Sequence, residues 1–236
     1  VSPRAAVSGA VLAGGRSRRL GRDKRLVAVD GEALLARTVR TLAAVADDVT
    51  VVIADERDRA LVTATVGTPA GAGRPRTVRD ARPGTGPAAG LEAALTAATQ
   101  PWVLVVAVDH PALSPAVLEL LVGAAQGLPA DAGGAPVGPA AVALEGPRGP
   151  EPLVAAYRRS ALGRVTALLD GGTRRLVDVL AALDPLVLPP ARWRTVDPAG
   201  ASLRDVDVPA DLPPDLPPDL PPDLRPGRAG TDGTAG

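Results

Sequence analysis

The sequence predicts an α/β protein: a doubly wound, mostly parallel sheet covered by helices on both faces. Three observations predict it. Short runs of Val, Leu and Ala alternate with helical periodicity through the first half of the chain. The strongest run, residues 102–108 (WVLVVAV), is apolar on both sides, as a central parallel strand between two helix layers must be. Aromatic residues are only 1% of the 236, with no Phe, so the core must be built from Leu, Val and Ala. That palette suits Val-rich strands under Leu- and Ala-rich helices.

Residues 10–13 read as a short buried strand broken by Gly14-Gly15, and a basic loop runs from Arg16 to Lys24. Asp30-Gly31 marks a turn. Leu35, Val39 and Leu42 then fall at i, i+4 and i+7, one apolar face of a helix. Residues 49–54 (VTVVIA) are a second strand ending at Asp55, with a partial helix after it, and residues 67–76 are a Gly/Pro-rich loop. Thr77-Val78 leads to Asp80 as a short third strand. Pro87 fits the first turn of a helix, where its missing N–H costs nothing, and that helix turns Leu91, Leu95 and Ala98 inward. After residues 102–108, Ser114 caps a helix with Pro115 at its first position and Leu118, Leu121 and Val122 as its inner stripe.

The second part is less regular. Residues 127–139 read as a loop, 140–144 and 153–157 as strands around a Gly/Pro turn, 160–170 and 174–184 as helices, and 186–188 as a late strand. Residues 8–212 are expected to form one domain, with 8–125 and 126–212 as its two halves. From Pro209 a proline pair recurs in ADLPPDLPPDLPPDLRP, which forbids a regular helix or an interior strand. Residues 213–236 are expected to be a Pro-rich, low-complexity, disordered tail, with a polyproline II recognition segment as the alternative.

Composition narrows the function. Lys+Arg and Asp+Glu are 26 each, so no global field draws the chain to nucleic acid or to an anionic membrane, and neither is an expected partner. Cys is absent, which excludes a disulfide framework, a thiolate zinc site and a cysteine nucleophile. His110 is the single histidine, so a multi-histidine metal site is not expected. No signal peptide or membrane-spanning run is readable, and the expected location is the cytoplasm.

Doubly wound sheets hold ligands beyond the C-terminal ends of their strands. The Gly14 loop, Asp55, Asp80 and Asp109 all follow strand ends, so they converge on one edge. Gly14 and Gly15 let backbone N–H groups turn toward an anion, and Arg16, Arg18, Arg19, Arg22 and Lys24 add positive charge close by. A triphosphate suits this set of donors. The other reading is a solvated basic turn, since the loop matches neither GxxxxGK[ST] nor GxGxxG. Asp109 is either an oxygen ligand for a hard cation such as Mg²⁺, bridging carboxylate and phosphate, or a simple strand terminus. Asp205 and Asp207 share one face of an extended segment and can reach the same cation, or are surface acids. Asp80, before Gly84, Gly86 and Gly90, can accept a bond from a ribose hydroxyl or an arginine. His110 is a pocket-lining or a packed histidine, while Tyr157 and Trp193 read as core or wall.

Residues 12–24, LAGGRSRRLGRDK, resemble the LAGGxSxRMGxDK signature of the MobA-like nucleotidyltransferases, with Leu20 in the Met position. Later segments keep the family order. Gly86-Pro87-Ala88-Ala89-Gly90 resembles its GPLAG segment, and Val108-Asp109-His110-Pro111 its metal-binding CDxP strand end, with Val for Cys. Glu151-Pro152-Leu153 with Tyr157 and Arg158 is similar to its QPL…LYR stretch. Residues 205–212 are similar to its closing NxNTPEDL, with both Asn positions now Asp. The resemblance covers roughly residues 8–212 and, within the family, is strongest to the molybdenum cofactor guanylyltransferases.

That resemblance implies a Rossmann-like nucleotidyltransferase fold. It also implies Mg²⁺-dependent transfer of GMP from GTP to molybdopterin or its molybdenum form, with release of pyrophosphate. Residues 8–125 would be the nucleotide-binding half and 126–212 the acceptor-binding half. By the same resemblance Leu12, Ala13 and Gly14 would contact the guanine and sugar side, Gly15 would belong to the same nucleotide-binding set, and Arg18 and Lys24 would touch phosphates. Asp80 would help hold the nucleoside and Asp109 would bind Mg²⁺, with Asp207 as a second metal contact. Arg18, Lys24 and Asp109 are the expected catalytic set. Where the family often carries an Asn contacting the nucleoside, Val52, Ile53, Ala54 and Asp55 stand here, a departure that bears on the guanine assignment. The alternatives are a cytidylyl- or guanylyltransferase with another small phosphorylated acceptor, and a non-catalytic nucleotide-binding domain. The expected assembly is a monomer or weak homo-oligomer, with a transient molybdoenzyme or cofactor-biosynthesis partner.

Overall fold

In the computed structural model, residues 6–14, 23–67, 73–82, 84–129 and 137–205 are described. β1 (Val7–Leu12) is buried at every position and runs into the glycine loop. Beyond that loop a 3₁₀ turn, Lys24–Leu26, is followed by a small antiparallel hairpin of β2 (Ala28–Val29) and β3 (Glu32–Ala33). Asp30 and Gly31 form its tip with φ of 53° and 78°, the left-handed pair that a two-residue hairpin needs. The turn was legible in the sequence, but strands this short carry no periodicity of their own. α1 (Leu34–Ala43) then buries Leu35, Val39 and Leu42 completely.

β4 (Asp48–Ile53), α2 (Asp58–Thr65) and β5 (Arg76–Arg79) follow, and then α3 (Pro87–Ala97), β6 (Trp102–Ala107) and α4 (Pro115–Gln126). Ser114 caps α4 as expected, its hydroxyl accepting from the Ala116 N–H, with Pro115 in the first turn. β7 (Ala141–Gly146) and β8 (Gly149–Arg158) form a hairpin, followed by α5 (Leu162–Asp170), α6 (Leu176–Ala182), β9 (Leu186–Leu188) and the short α7 (Pro190–Trp193).

Seven strands make one sheet in the order β5-β4-β1-β6-β8-β7-β9. The first four are parallel, β8 is antiparallel to β6 and to β7, and β9 is parallel to β7. The sheet thus runs unbroken from the first half of the chain into the second. Alternation divides its residues between two apolar layers. Val7, Val11, Leu104 and Val106 face α1, α2 and α4, while Ala10, Leu12, Val103 and Val105 face α3, α5 and α6. Among the described residues no helix is long and apolar enough to cross a membrane.

β8 is longer than its apolar core suggests. Ala143 stands opposite Ala155 and Leu144 opposite Glu151, so β8 bulges between them. Pro152 sits in this bulge, where its missing N–H breaks no ladder bond. The buried Tyr157 hydroxyl donates to the Pro152 carbonyl at 2.8 Å and anchors the bulge, which confirms Tyr157 as a core residue. Trp193 is also buried, its indole N–H donating to the Glu145 carbonyl at 3.1 Å.

The chain's last described segment is tied down by Asp197. Its carboxylate accepts from the Ala201 N–H at 3.1 Å and the Ser202 N–H at 2.8 Å, and the Ser202 hydroxyl accepts from the Ser114 N–H at 3.1 Å. Burial alone would raise the Asp197 carboxyl, but the Ser202 N–H and hydroxyl, with the Ala201 and Gly200 N–H groups, outweigh it and hold it below the usual carboxylate range. A lowered carboxyl contributes stability that is present above its unfolded pKa, about 3.9, and lost as pH falls through the folded value. Asp197→Asn is therefore expected to lower the urea midpoint at neutral pH, with the difference from the parent closing below about pH 4. A difference that stays constant down the acid range would contradict this.

Candidate active site

The parallel strands β5, β4, β1 and β6 all end on one edge of the sheet. β1 and β6 are neighbours there, and the chain winds outward from them in opposite directions. This is the switch point at which an open α/β sheet leaves a crevice. Leu12 ends β1 with Ala13 and Gly14 directly after it, and Asp109 follows β6, the next strand in the sheet. Ala13 donates its N–H to the Val52 carbonyl at 2.9 Å, prolonging the β1–β4 ladder to the glycine. A Cβ on Gly14 would lie 3.3 Å from the Ala54 Cβ, so the end of β4 presses on the loop at that point. Leu12 is packed in the same way, since a Cβ on Gly90 of α3 would come within 3.3 Å of its side chain.

The Lys24 Nζ donates to the Asp109 Oδ2 at 3.3 Å beyond the ends of β1 and β6. The two side chains are 14% and 23% exposed, screened enough for the charges to matter and open enough to meet a ligand. Asp109 Oδ1 lies 3.8 Å from the His110 Nε2. His110 itself is buried, and among the described residues its Nδ1 has no hydrogen-bond partner. The packed reading of His110 fits its burial.

The 3₁₀ turn that carries Lys24 is pinned by a residue that sequence reasoning passed over. Arg25 is 8% exposed and lies between two carboxylates. Its Nε donates to both oxygens of Asp23, at 2.9 and 3.1 Å, and its Nη2 donates to Asp58 Oδ1 at 3.0 Å. Asp23 also caps the 3₁₀ turn by accepting from the Arg25 N–H at 3.0 Å. Burial by itself would disfavour the guanidinium charge, but the bonds to Asp23 and Asp58 overcome it and push its pKa above the ordinary value. The available signal was the Asp23-x-Arg25 spacing directly after the basic loop. Its second anchor, Asp58, is 33 residues away and invisible to local pattern.

Asp80 follows β5, donating its N–H to the Ile53 carbonyl at 2.8 Å and accepting from the Arg82 N–H at 2.6 Å. Arg82 is clamped in turn, its guanidinium on Glu92 of α3 at 2.8 and 3.1 Å and on Asp170 of α5 at 2.7 Å. Gly86 then enters α3 with φ of 86°, a conformation that favours glycine. Burial holds the Asp80 carboxyl above the usual carboxylate range. The Arg82 N–H pulls it back in part, and the Glu92 charge adds to the rise. A raised carboxyl costs stability increasingly as pH climbs from the unfolded value through the folded one. Asp80→Asn is therefore expected to gain on the parent in urea midpoint as pH rises above about 4 in the ligand-free protein. A gain that does not grow with pH would count against this.

Gly15, Arg18 and Asp207 lie outside the described residues, as does the segment 213–236. Asp205 is described, and Arg148 at the β7–β8 turn donates to it at 3.1 Å. That turn is on the same edge as Asp109, because β7 ends and β8 begins there. Glu151 follows it, accepting from the Leu153 N–H at 3.1 Å.

A family model described as the MobA-like NTP transferase domain matches residues 9–186. The chain belongs to this family. Its relatives within it include the probable molybdenum cofactor guanylyltransferase of Chloroflexus aggregans, 35% identical over 208 residues, which span 86% of this chain and 90% of that protein. The protein of the same name from Deinococcus radiodurans is 40% identical over 171 residues, 72% of this chain and 77% of that one. Among solved structures, the molybdopterin-guanine dinucleotide biosynthesis protein A of Archaeoglobus fulgidus superposes with a TM-score of 0.68. It is 26% identical, covering 86% of this chain and 94% of that one. This MobA-like chain therefore has the mixed α/β nucleotidyltransferase architecture that its sequence resemblance implied.

Proposed function

We propose that this MobA-like transferase moves GMP from GTP onto the terminal phosphate of a molybdopterin-type acceptor. One observation carries the reading: Lys24 and Asp109 face each other at 3.3 Å across the β1/β6 switch point, where a polyphosphate would lie. The acceptor's phosphate oxygen attacks the α-phosphorus, a new P–O bond forms, the α–β bridging bond breaks and pyrophosphate leaves. A phosphate monoester is already a nucleophile at neutral pH, so no strong base has to activate it. The protein's contribution is alignment and charge neutralisation.

In this scheme Lys24 leaves Asp109 for the leaving pyrophosphate, with Arg18 beside it. Leu12 to Gly14 line the guanine and sugar, and Asp80 takes a nucleoside contact. Asp109 suits Mg²⁺, since it is a hard carboxylate partly open to the crevice, and Mg²⁺ is commonly held by one or two carboxylates together with substrate phosphates. Asp207 would be the second carboxylate. Bound there, the cation would offset charge at the α-phosphate. The names of the relatives and the LAGG form of the loop favour guanine.

Pyrophosphate release from each of the four NTPs, with molybdopterin and its molybdenum form as acceptors, tests the proposal. Turnover with GTP and Mg²⁺ is expected. Turnover with CTP instead would overturn the guanine assignment, and GTP binding without pyrophosphate release would leave a non-catalytic nucleotide-binding domain.

A further inference from the structure

The opposite edge of the sheet carries a second cationic feature that the nucleotide edge does not use. Arg158 ends β8 and pairs in register with Trp102, the first residue of β6. β6 is six residues long, so this point lies about 20 Å of strand away from its catalytic end. A cavity of about 420 Å³ opens here, lined by Pro101, Arg158, Arg159, Ser160 and Leu162. That volume lies within the range of small-molecule sites.

Among the described residues, the charge at the cavity is unbalanced. Arg158 is 8% exposed. Arg25 is neutralised by two carboxylates, whereas Arg158 has only dipoles and a ring face. Its Nε donates to the Pro139 carbonyl at 3.0 Å and its Nη2 to the Pro129 carbonyl at 3.3 Å. Its guanidinium carbon stands 4.6 Å from the centroid of the Trp102 ring. Among the described residues, no carboxylate pairs with Arg158 or with Arg159 beside it. The other described residues of the cavity wall, Pro101, Ser160 and Leu162, carry no carboxylate. A buried cation without a counter-ion is costly and gains from any anion that reaches it.

Two further donors border the same space. Ser160 belongs to the 3₁₀ turn Arg159–Ala161, which runs directly into α5, and no side chain caps that entry. Leu162, the first residue of α5, lines the cavity next to the two arginines. Arg159 is positioned by its own backbone, its N–H donating to the Pro101 carbonyl at 2.8 Å.

We propose that this cavity is a second anion site that takes the phosphate group of a small phosphate monoester. Arg158 and Arg159 bind the dianion, the Ser160 hydroxyl donates to it, and Pro101 and Leu162 pack against its organic part. The site is separate from the crevice at Lys24 and Asp109, so it can be filled while that crevice is empty or occupied.

Equilibrium dialysis of the full chain with inorganic phosphate, and separately with glycerol 3-phosphate, at ionic strength held constant with chloride, tests this. Saturable binding of both probes is expected, with the monoester bound more tightly. Arg159 is exposed and outside the core, so Arg159→Ala keeps the fold. It is expected to weaken binding about tenfold or more, the scale of one charge-assisted contact to phosphate, while Arg159→Lys recovers part of the loss. Lys24→Ala is expected to leave this binding in place. Absence of saturable binding, equal binding by Arg159→Ala, or a loss in Lys24→Ala alone would each overturn the proposal.

Discussion

Lys24→Ala is expected to slow nucleotidyl transfer by about tenfold to a thousandfold, the scale for one donor aimed at developing phosphate charge. The geometry adds a second reason. In the free protein the Lys24 Nζ neutralises Asp109 at 3.3 Å, so its removal also leaves that carboxylate facing an incoming triphosphate uncompensated. Both effects act on the reaction far more than on the fold. The pair is partly open to solvent, and such pairs contribute about 1 kcal/mol or less to stability. The urea midpoint should therefore stay close to the parent's while pyrophosphate release falls. Lys24→Arg is not expected to restore full turnover, because a planar fork replaces a compact ammonium. Parent-like turnover in Lys24→Ala would remove the residue from the transfer step.

Arg25→Ala is expected to do the reverse and strike stability first. It deletes a guanidinium that joins Asp23, at the start of the 3₁₀ turn, to Asp58 of α2. It leaves two carboxylates close together without their shared cation. Losing one member of a buried pair costs about 3–5 kcal/mol. Asp23 and Asp58 are 18% and 27% exposed and can partly rehydrate, which brings the expected loss to about 2–4 kcal/mol. Urea unfolding measures it. Turnover should fall as well, because Lys24 is next to Arg25 in the same turn and loses its fixed position. Saturating GTP should recover part of the stability, since a ligand that binds only the folded state stabilises it by mass action. A midpoint within a few tenths of a kcal/mol of the parent's would show that the loop is held by other contacts.

Much of the architecture was legible in the amino-acid order. Residues 102–107 stood out because a strand covered on both faces has no polar positions, and all six are buried. α1 and α4 were readable because their apolar residues recur at helical spacing. Ser114-Pro115 marked an N-terminus because a hydroxyl acceptor and a missing N–H fit only there. The family resemblance was legible for a different reason: a glycine turn with several cations and an Asp after a buried strand is a long ordered set that few other folds require.

These signals share one property, that they act within about one turn of helix or one pleat of strand. Side-chain periodicity, capping and turn chemistry are set by covalent neighbours, so amino-acid order alone sufficed for the layers, the helix starts and the edge on which Lys24, Asp80 and Asp109 had to emerge. Pairings between distant elements obey no such local rule. Arg25 meeting Asp58, Arg82 bridging Glu92 and Asp170, and Arg158 lying over Trp102 without a carboxylate came into view only in the folded chain. Strand order decides which ends are neighbours, and burial then decides what each of those charges costs.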